Sequence, residues 1–270
     1  MATIYGTKFA DNLSGTSGSD RIYGYGGDDT IFAWNNASGS RDVVAGGDGN
    51  DSIEGDGANG QKFYGGNGDD EIYNFATGQG DGGNSYYDGG AGNDRIGGNG
   101  EAHGGAGNDT IFAYNGDGAS LYGDAGNDNL SGSNYLNGGT GNDTLQYSAY
   151  NADGTTTMIG GTGRDRFSID IIDKERITIT DFKHSEGDTV RLTQSMWDGI
   201  TDDGGTIGLR SSADMFAAYG ADSRGRHDGV IRIGDQYTDH SANGSLILRL
   251  NGSLITFDHV QQLTIADWAF

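Results

Sequence analysis

The 270-residue chain holds 52 glycines and no proline, and 39 acidic against 16 basic residues leave a formal charge of −23. Collagen is excluded, because it needs proline and a strict three-residue glycine period. A mainly helical domain is disfavoured, because glycine weakens helix interiors. Of the acids, 34 are Asp and only 5 are Glu; Asp beside glycine belongs to turns rather than to helical or solvating segments. Such carboxylates repel phosphate, so nucleic acid is a poor partner, and they suit a hard divalent cation. With no cysteine, neither disulfides nor thiolate sites staple the fold. No apolar run approaches the roughly 18 residues of a membrane span, so no membrane insertion is expected. Residues 1–8 lack the basic-then-apolar pattern of a signal peptide.

From the N-terminus a nine-residue unit recurs, Gly-Gly-x-Gly-x-Asp-x-U-x, with U aliphatic or aromatic. Looser copies start at Gly6, Gly15 and Gly24, and close ones at Gly46 (GGDGNDSIE), Gly65 (GGNGDDEIY), Gly89 (GGAGNDRIG) and Gly104 (GGAGNDTIF). It returns at Gly123 (GDAGNDNLS), Gly138 (GGTGNDTLQ) and Gly160 (GGTGRDRFS). Glycines at positions 1, 2 and 4 permit the positive φ angles of a tight turn and free its carbonyls to point inward. Asp at position 6 adds a carboxylate at the turn's exit. Positions 7 to 9 read as a short strand whose middle residue faces a narrow core. One unit cannot bury its own U residue, so units must stack.

These residues resemble the RTX (hemolysin-type) calcium-binding nonapeptide family, over roughly residues 6–168 by repeat. The resemblance implies an all-β fold, a parallel β-roll or β-solenoid, with several calcium ions held between turns on the same side. It also implies folding on exposure to extracellular calcium and export by the type I secretion machinery of a Gram-negative bacterium.

In such a roll successive turns lie on opposite edges, and close copies separated by 15 to 24 residues are about one full coil apart. The intervening segments lack the glycine-aspartate turn, so the roll is expected to be one-sided. One edge takes its metal-ligating carboxylates from Asp11, Asp29, Asp51, Asp70, Asp94, Asp109, Asp128, Asp143 and Asp165, with turns opened by Gly46, Gly65, Gly89, Gly104, Gly138 and Gly160. On the other edge Asp20 and Asp42 form at most one further site. A second period, about 40 residues long, places Trp34, Phe75, Tyr114 and Tyr147 on the variable edge, with outward Phe32, Tyr73 and Phe112. These rings form either a strip that stacks on sugars or on a neighbouring molecule, or a packing layer folded under its own loops.

Residues 1–168 are read as the roll and 169–270 as a β-rich C-terminal cap, since only 11 of the glycines fall in the latter. Segments 176–182, 188–192, 230–233, 245–250 and 253–257 read as antiparallel strands, with a hairpin turn at Asn251-Gly252 and a short helix over 212–219. Asp181 and Asp188 are placed to close the last metal site. Asp267-Trp268-Ala269-Phe270, an acid followed by hydrophobic residues, resembles an uncleaved type I secretion signal.

No His-Glu-x-x-His, Gly-x-Ser-x-Gly or Walker loop occurs, and the repeats begin at residue 6, so catalysis is not expected. The histidines His103, His184, His227, His240 and His259 read as solvated or packing residues. Two functions remain. The first is a secreted, extracellular or cell-surface protein that assembles into a surface layer or matrix through calcium and self-association. The second is an adhesion module that binds polysaccharide or a cell surface through the aromatic edge.

Overall fold

A computed structural model describes residues 1–34, 41–74, 84–114, 118–148, 155–169, 176–183, 185–192, 201–202, 205–206, 238–240, 246–250 and 253–258. No helix occurs among the described residues. The chain winds between two parallel sheets, crossing from one to the other at every turn. The first sheet takes Thr3–Tyr5, Arg21–Gly26, Val43–Asp48, Lys62–Asn67, Ser85–Ala91, Gly100–Ala106, Ser120–Ala125, Tyr135–Thr140, Thr155–Thr162 and Arg176–Ile179, in that spatial order. The second takes Asn12–Ser14, Thr30–Ala33, Ser52–Gly55, Glu71–Asn74, Arg95–Gly97, Thr110–Phe112, Asn129–Gly132, Thr144–Tyr147, Arg166–Ile169 and Thr189–Leu192. This is the parallel β-roll that the repeat predicts.

Strand alternation with a period of two decides what is buried. In the second sheet the U residues Leu13, Ile31, Ile53, Ile72, Ile96, Ile111, Leu130, Leu145, Phe167 and Val190 form one inward column, in register from coil to coil. They face a column from the first sheet made of Ile22, Val44, Phe63, Tyr87, Ala102, Leu121, Leu136 and Met158. Neighbouring residues on each strand point outward. The core is therefore narrow, fed by one inward column from each sheet.

The parallel winding runs past Ser168, which corrects the antiparallel reading of segments 176–182 and 188–192. Thr155–Met158 pairs in parallel with Arg176–Ile179, and Arg166–Ile169 pairs in parallel with Thr189–Leu192. Asp188 continues the Asp spacing of the turns, so the chain keeps to the roll although the glycines have thinned. Beyond that coil the order changes. Leu254–Phe257 still pairs in parallel with Arg176–Ile179, but Leu246–Leu250 is antiparallel to Ser253–Phe257, and Thr238–His240 is antiparallel to Leu246–Leu248. The expected hairpin strands are thus present, while its turn at Asn251-Gly252, segments 212–219 and 230–233, and the terminal Asp267–Phe270 lie outside the described residues.

Candidate metal centre

The turns from the first sheet to the second all fall on one edge, and their position-6 aspartates stack into a ladder. The amide of each Asp donates to Oδ1 of the Asp one coil on. The pairs are Asp11 to Asp29, Asp29 to Asp51, Asp51 to Asp70, Asp70 to Asp94 and Asp94 to Asp109, each at 2.8 Å. It continues from Asp109 to Asp128 (2.7 Å), Asp128 to Asp143 (2.8 Å), Asp143 to Asp165 (2.9 Å) and Asp165 to Asp188 (2.9 Å).

One carboxylate oxygen is thereby spent on the coil before, and the other is not. Oδ2 of Asp29, Asp51, Asp70, Asp94, Asp109, Asp128, Asp143 and Asp165 is buried without a hydrogen-bond partner. Each lies against the position-1 glycine of its own turn, where a Cβ would collide with it: Gly24, Gly46, Gly65, Gly89, Gly104, Gly123, Gly138 and Gly160. A backbone carbonyl from the next coil converges on the same point in several turns; a Cβ on Gly46 would lie 2.8 Å from the Gly65 carbonyl, and one on Gly138 2.6 Å from that of Gly160. No group of three or more acidic or histidine side chains gathers among the described residues. Each cradle instead combines one carboxylate with main-chain oxygens, a donor set that suits a hard cation such as Ca2+.

Buried polar atoms are ordinarily satisfied, so eight orphans in one row mark a place built for a partner outside the chain. Burial first, reinforced by neighbouring carboxylates, pushes Asp70, Asp94, Asp128 and Asp165 up to about 7 and Asp51 and Asp109 up to about 6. Burial alone takes Asp143 up to about 6. Without a cation, the ladder disfavours its own charge.

A family model described as "RTX calcium-binding nonapeptide repeat (4 copies)" matches residues 5–37, 36–59, 96–117, 120–134 and 130–146. These segments of the roll match RTX calcium-binding nonapeptide repeats. A search of the curated proteins finds no match. Among solved structures, the crystal structure of extracellular lipase LipA from Serratia marcescens is similar over 99% of this chain and 40% of that one, at 15% identity and a TM-score of 0.18. The chain thus spans less than half of the lipase, whose activity is a property of that larger protein.

Two of the expected ligands stand apart from the RTX ladder. Oδ2 of Asp11 accepts from the Thr7 amide at 2.6 Å and its hydroxyl at 2.8 Å, and Oδ2 of Asp20 accepts from the Thr16 amide at 2.6 Å and hydroxyl at 2.7 Å. Position 2 makes the difference. In the eight orphaned turns it has positive φ, whether glycine (Gly47, Gly66, Gly90, Gly105, Gly139, Gly161) or not (Tyr25 at 77°, Asp124 at 69°). A β-branched Thr disfavours that region. Neither Thr7 nor Thr16 adopts it, and each turns its amide and hydroxyl onto the carboxylate instead. Asp11 and Asp20, both expected as metal ligands, thus have their Oδ2 engaged by their own turns rather than orphaned. Burial would raise Asp20, but hydrogen bonds from Thr16 and Ala2 outweigh it and hold the group below its ordinary value. Replacing Thr7 by Val should cost about 1 kcal/mol of roll stability, measured by denaturant melts in saturating calcium.

The opposite edge bears out the one-sided expectation. There the register-equivalent positions where the chain enters the first sheet are Asp20, Asp42, Gln61, Ser85, Gly100, Ala119, Asn134 and Thr156. Asp20 and Asp42 do meet, the Asp20 amide donating to Asp42 Oδ1 at 2.7 Å. Beyond them no carboxylate occupies that register position among the described residues.

Sequence reasoning missed a second ladder at position 5. Oδ1 of Asp28, Asn50, Asp69, Asn93, Asn108, Asn127 and Asn142 each accepts the amide of the next such residue, at 2.6–2.9 Å, ending at Arg164. The recurring Gly-Asn-Asp of the turns was its signal. At the far end, Asp181 accepts the Gly160 and Gly161 amides at 2.9 and 2.7 Å, and Lys183 Nζ donates to the Gly161 carbonyl at 3.1 Å. The Lys183 amide donates to Asp188 Oδ2 at 2.7 Å. A lysine thus supplies positive charge where the glycine turns stop, and Asp181 and Asp188, expected to close the last metal site, are engaged there in hydrogen bonds with backbone amides.

The predicted aromatic strip is broken. Trp34 is 56% exposed and packs edge-on against Phe32 at 5.3 Å, whereas Tyr147 is 3% exposed and belongs to the core. Tyr147 is an i+2 neighbour of Leu145 and so shares its inward face, which corrects its reading as a binding residue. Tyr114 is half-buried against Phe112 at 5.3 Å, and burial raises its phenol above the ordinary range. Phe75 lies outside the described residues. A different aromatic row crosses the outer face of the first sheet: Tyr64, Tyr86, His103, Tyr122 and Tyr135, each 4.5–5.8 Å from the next.

Proposed function

We propose that the chain is a secreted calcium-binding RTX protein that folds when it meets extracellular calcium and then serves as a structural or assembly component of a cell surface, surface layer or matrix. The observation that carries this reading is the row of eight orphaned carboxylate oxygens. Asp29, Asp51, Asp70, Asp94, Asp109, Asp128, Asp143 and Asp165 would hold the ions, aided by carbonyls of the turn glycines. Calcium supplies the charge that lets these carboxylates sit side by side, and folding is coupled to its binding.

Without the ion, residues 1–168 carry 23 acids against 7 bases and bury little apolar surface per coil. Such a chain stays expanded in a low-calcium cytosol and suits passage through the type I secretion channel. Roll and ladder occupy most of the described residues, which favours a structural role. Polysaccharide adhesion through the variable edge has less support, because Tyr147 is internal and Tyr114 half-covered.

Size-exclusion chromatography with light scattering, first in chelator and then in calcium, tests this. The expected result is an expanded chain that compacts at roughly 0.1–1 mM calcium and then associates. A compact monomer at every concentration would remove the assembly role and leave adhesion. Indifference to calcium would sink the whole reading.

A further inference from the structure

Among the described residues nine buried side-chain oxygens lack a hydrogen-bond partner; eight belong to the aspartate ladder, and the ninth, Gln61 Oε1, lies on the opposite edge. Gln61 is fully buried and holds the register position that Asp42 holds one coil before. Its amide is oriented by what surrounds it. Nε2 donates to Asp56 Oδ1 at 3.3 Å and to the Ala33 carbonyl at 3.5 Å. Both partners are acceptors, so the atom left over is the oxygen and not the nitrogen. A buried amide oxygen without a donor is rare and costly.

The turn around it repeats the plan of a ladder turn with different groups. In the ladder an opening glycine lies against the position-6 carboxylate, and an oxygen from the next coil converges on the same point. Here Gly55 takes the place of that glycine. A Cβ on it would lie 2.9 Å from Gln61 Oε1, 2.5 Å from Asn74 Oδ1 and 2.7 Å from the edge of the Phe63 ring. Asn74 is the register partner of Gly55 one coil on, so its side chain stands in for the next-coil carbonyl. It too is oriented: Nδ2 donates to Tyr87 Oη at 3.0 Å, and Oδ1 accepts the Gly57 amide at 2.6 Å. Gly57 and Gly60 take positive φ (81° and 79°), as the second and fourth positions of ladder turns do. Two amide oxygens thus face one point, and they repel unless something positive stands between them. The earlier turn on this edge lacks the feature: a Cβ on Gly15 would stay 3.5 Å from Asp20 Oδ2, which Thr16 already satisfies.

We infer that this turn holds one further calcium ion on the variable edge, with Gln61 Oε1 and Asn74 Oδ1 as ligands in place of carboxylate and carbonyl. The inference rests on the reading of the aspartate ladder as a calcium centre, whose plan it shares. Negative charge flanks the point on two sides, from Asp56, which holds the Gln61 amide, and from Asp42, buried one coil before. That charge favours a cation over a water molecule as the occupant. Arg41 lies over Gly60 and leaves the Gln61 oxygen unsatisfied. Neutral amide oxygens make a weaker site than the carboxylates of the ladder, so this ion binds last.

Crystals of the full chain grown in saturating calcium, with diffraction collected where calcium scatters anomalously, test the site. The expected result is an anomalous peak between Gln61 Oε1 and Asn74 Oδ1, apart from the row along the aspartate ladder. Density there without anomalous signal would mean a water molecule, and would overturn this site while leaving the ladder reading intact. The absence of anomalous peaks on both edges would overturn the two together. In solution, native mass spectrometry should count one calcium ion fewer on Gln61→Met than on the wild type, and an unchanged count would overturn the site. Gln61→Glu, which puts a charge on the same ligand position, should bind the last ion roughly tenfold tighter. Should Gln61→Met not fold, Gln61→Glu carries the test, because a carboxylate at a water site would destabilise the roll without tightening any ion.

Discussion

Replacing Asp109 by Ala is expected to raise the calcium concentration at half-folding about tenfold or more, read by far-ultraviolet circular dichroism during a calcium titration. Asp109 is a middle rung. Its Oδ1 accepts the Asp94 amide at 2.8 Å, its own amide donates to Asp128 Oδ1 at 2.7 Å, and its Oδ2 is one of the orphaned oxygens beside Gly104. Truncation leaves the Asp94 amide buried without an acceptor, at a cost of about 1–3 kcal/mol, and removes the carboxylate from a cradle between two others. Asp109→Asn separates the two losses, because its carbonyl oxygen keeps the ladder bond while the charge is gone. It should retain most of the maximal folded signal yet still need more calcium. Glu101→Ala removes the same unit of charge from the outer face of the first sheet, where its carboxylate contacts His103 at 3.3 Å. That variant should stay within about twofold of the wild type. Equal shifts for Asp109→Ala and Glu101→Ala would mean that general charge, rather than the ladder, governs folding.

Much of the fold and most of this centre are legible in the sequence, because a repeat states one local geometry many times over. Gly-Gly-x-Gly-x-Asp specifies a turn through its positive-φ positions and a strand through its U residue, and the spacing of good copies tells which turns share an edge. What escaped has a physical reason in each case. Thr7 and Thr16 replace the position-2 glycine in loose copies, and their effect depends on a φ angle that composition does not show. Tyr147 looked like its counterparts Trp34 and Tyr114, yet those two lie one position beyond the inward residue of their strands, Ala33 and Ala113, whereas Tyr147 itself occupies that inward position. The continuation through Arg176–Ile179 and Thr189–Leu192 was hidden because those strands lack the glycine turn and keep only Asp188 as its mark. The aromatic row of the first sheet takes Tyr64, His103 and Tyr122 from the residue just before an opening glycine, and Tyr86 and Tyr135 from two residues earlier on their strands. Its members meet only once the coils are stacked.

In chelator, lowering the pH from about 8 to about 5 is expected to move the chain from expanded to roll-like without any calcium. In the folded roll, burial takes Asp51, Asp109 and Asp143 up to about 6 and Asp70, Asp94, Asp128 and Asp165 up to about 7. In the unfolded chain these carboxyls titrate near 4. Between those limits the folded state binds more protons than the unfolded one, so metal-free stability falls as pH rises from about 4 to about 7 and levels off above. A proton on each rung then does what the cation does, removing charge from a row that cannot carry it unaided. Calcium takes the carboxylate form, and above about pH 5 the unfolded carboxyls are ionised as well, so calcium-driven folding exchanges few protons: the midpoint concentration should stay flat above about pH 7 and drop below it, as protonation begins to fold the roll unaided. General repulsion in a −23 chain would also relax in acid, but salt at about 0.5 M and pH 8 screens exposed charges equally well and should not fold the chain. Folding by salt alone, or an expanded chain at pH 5, would show that the ladder's buried carboxylates are not what holds the roll open.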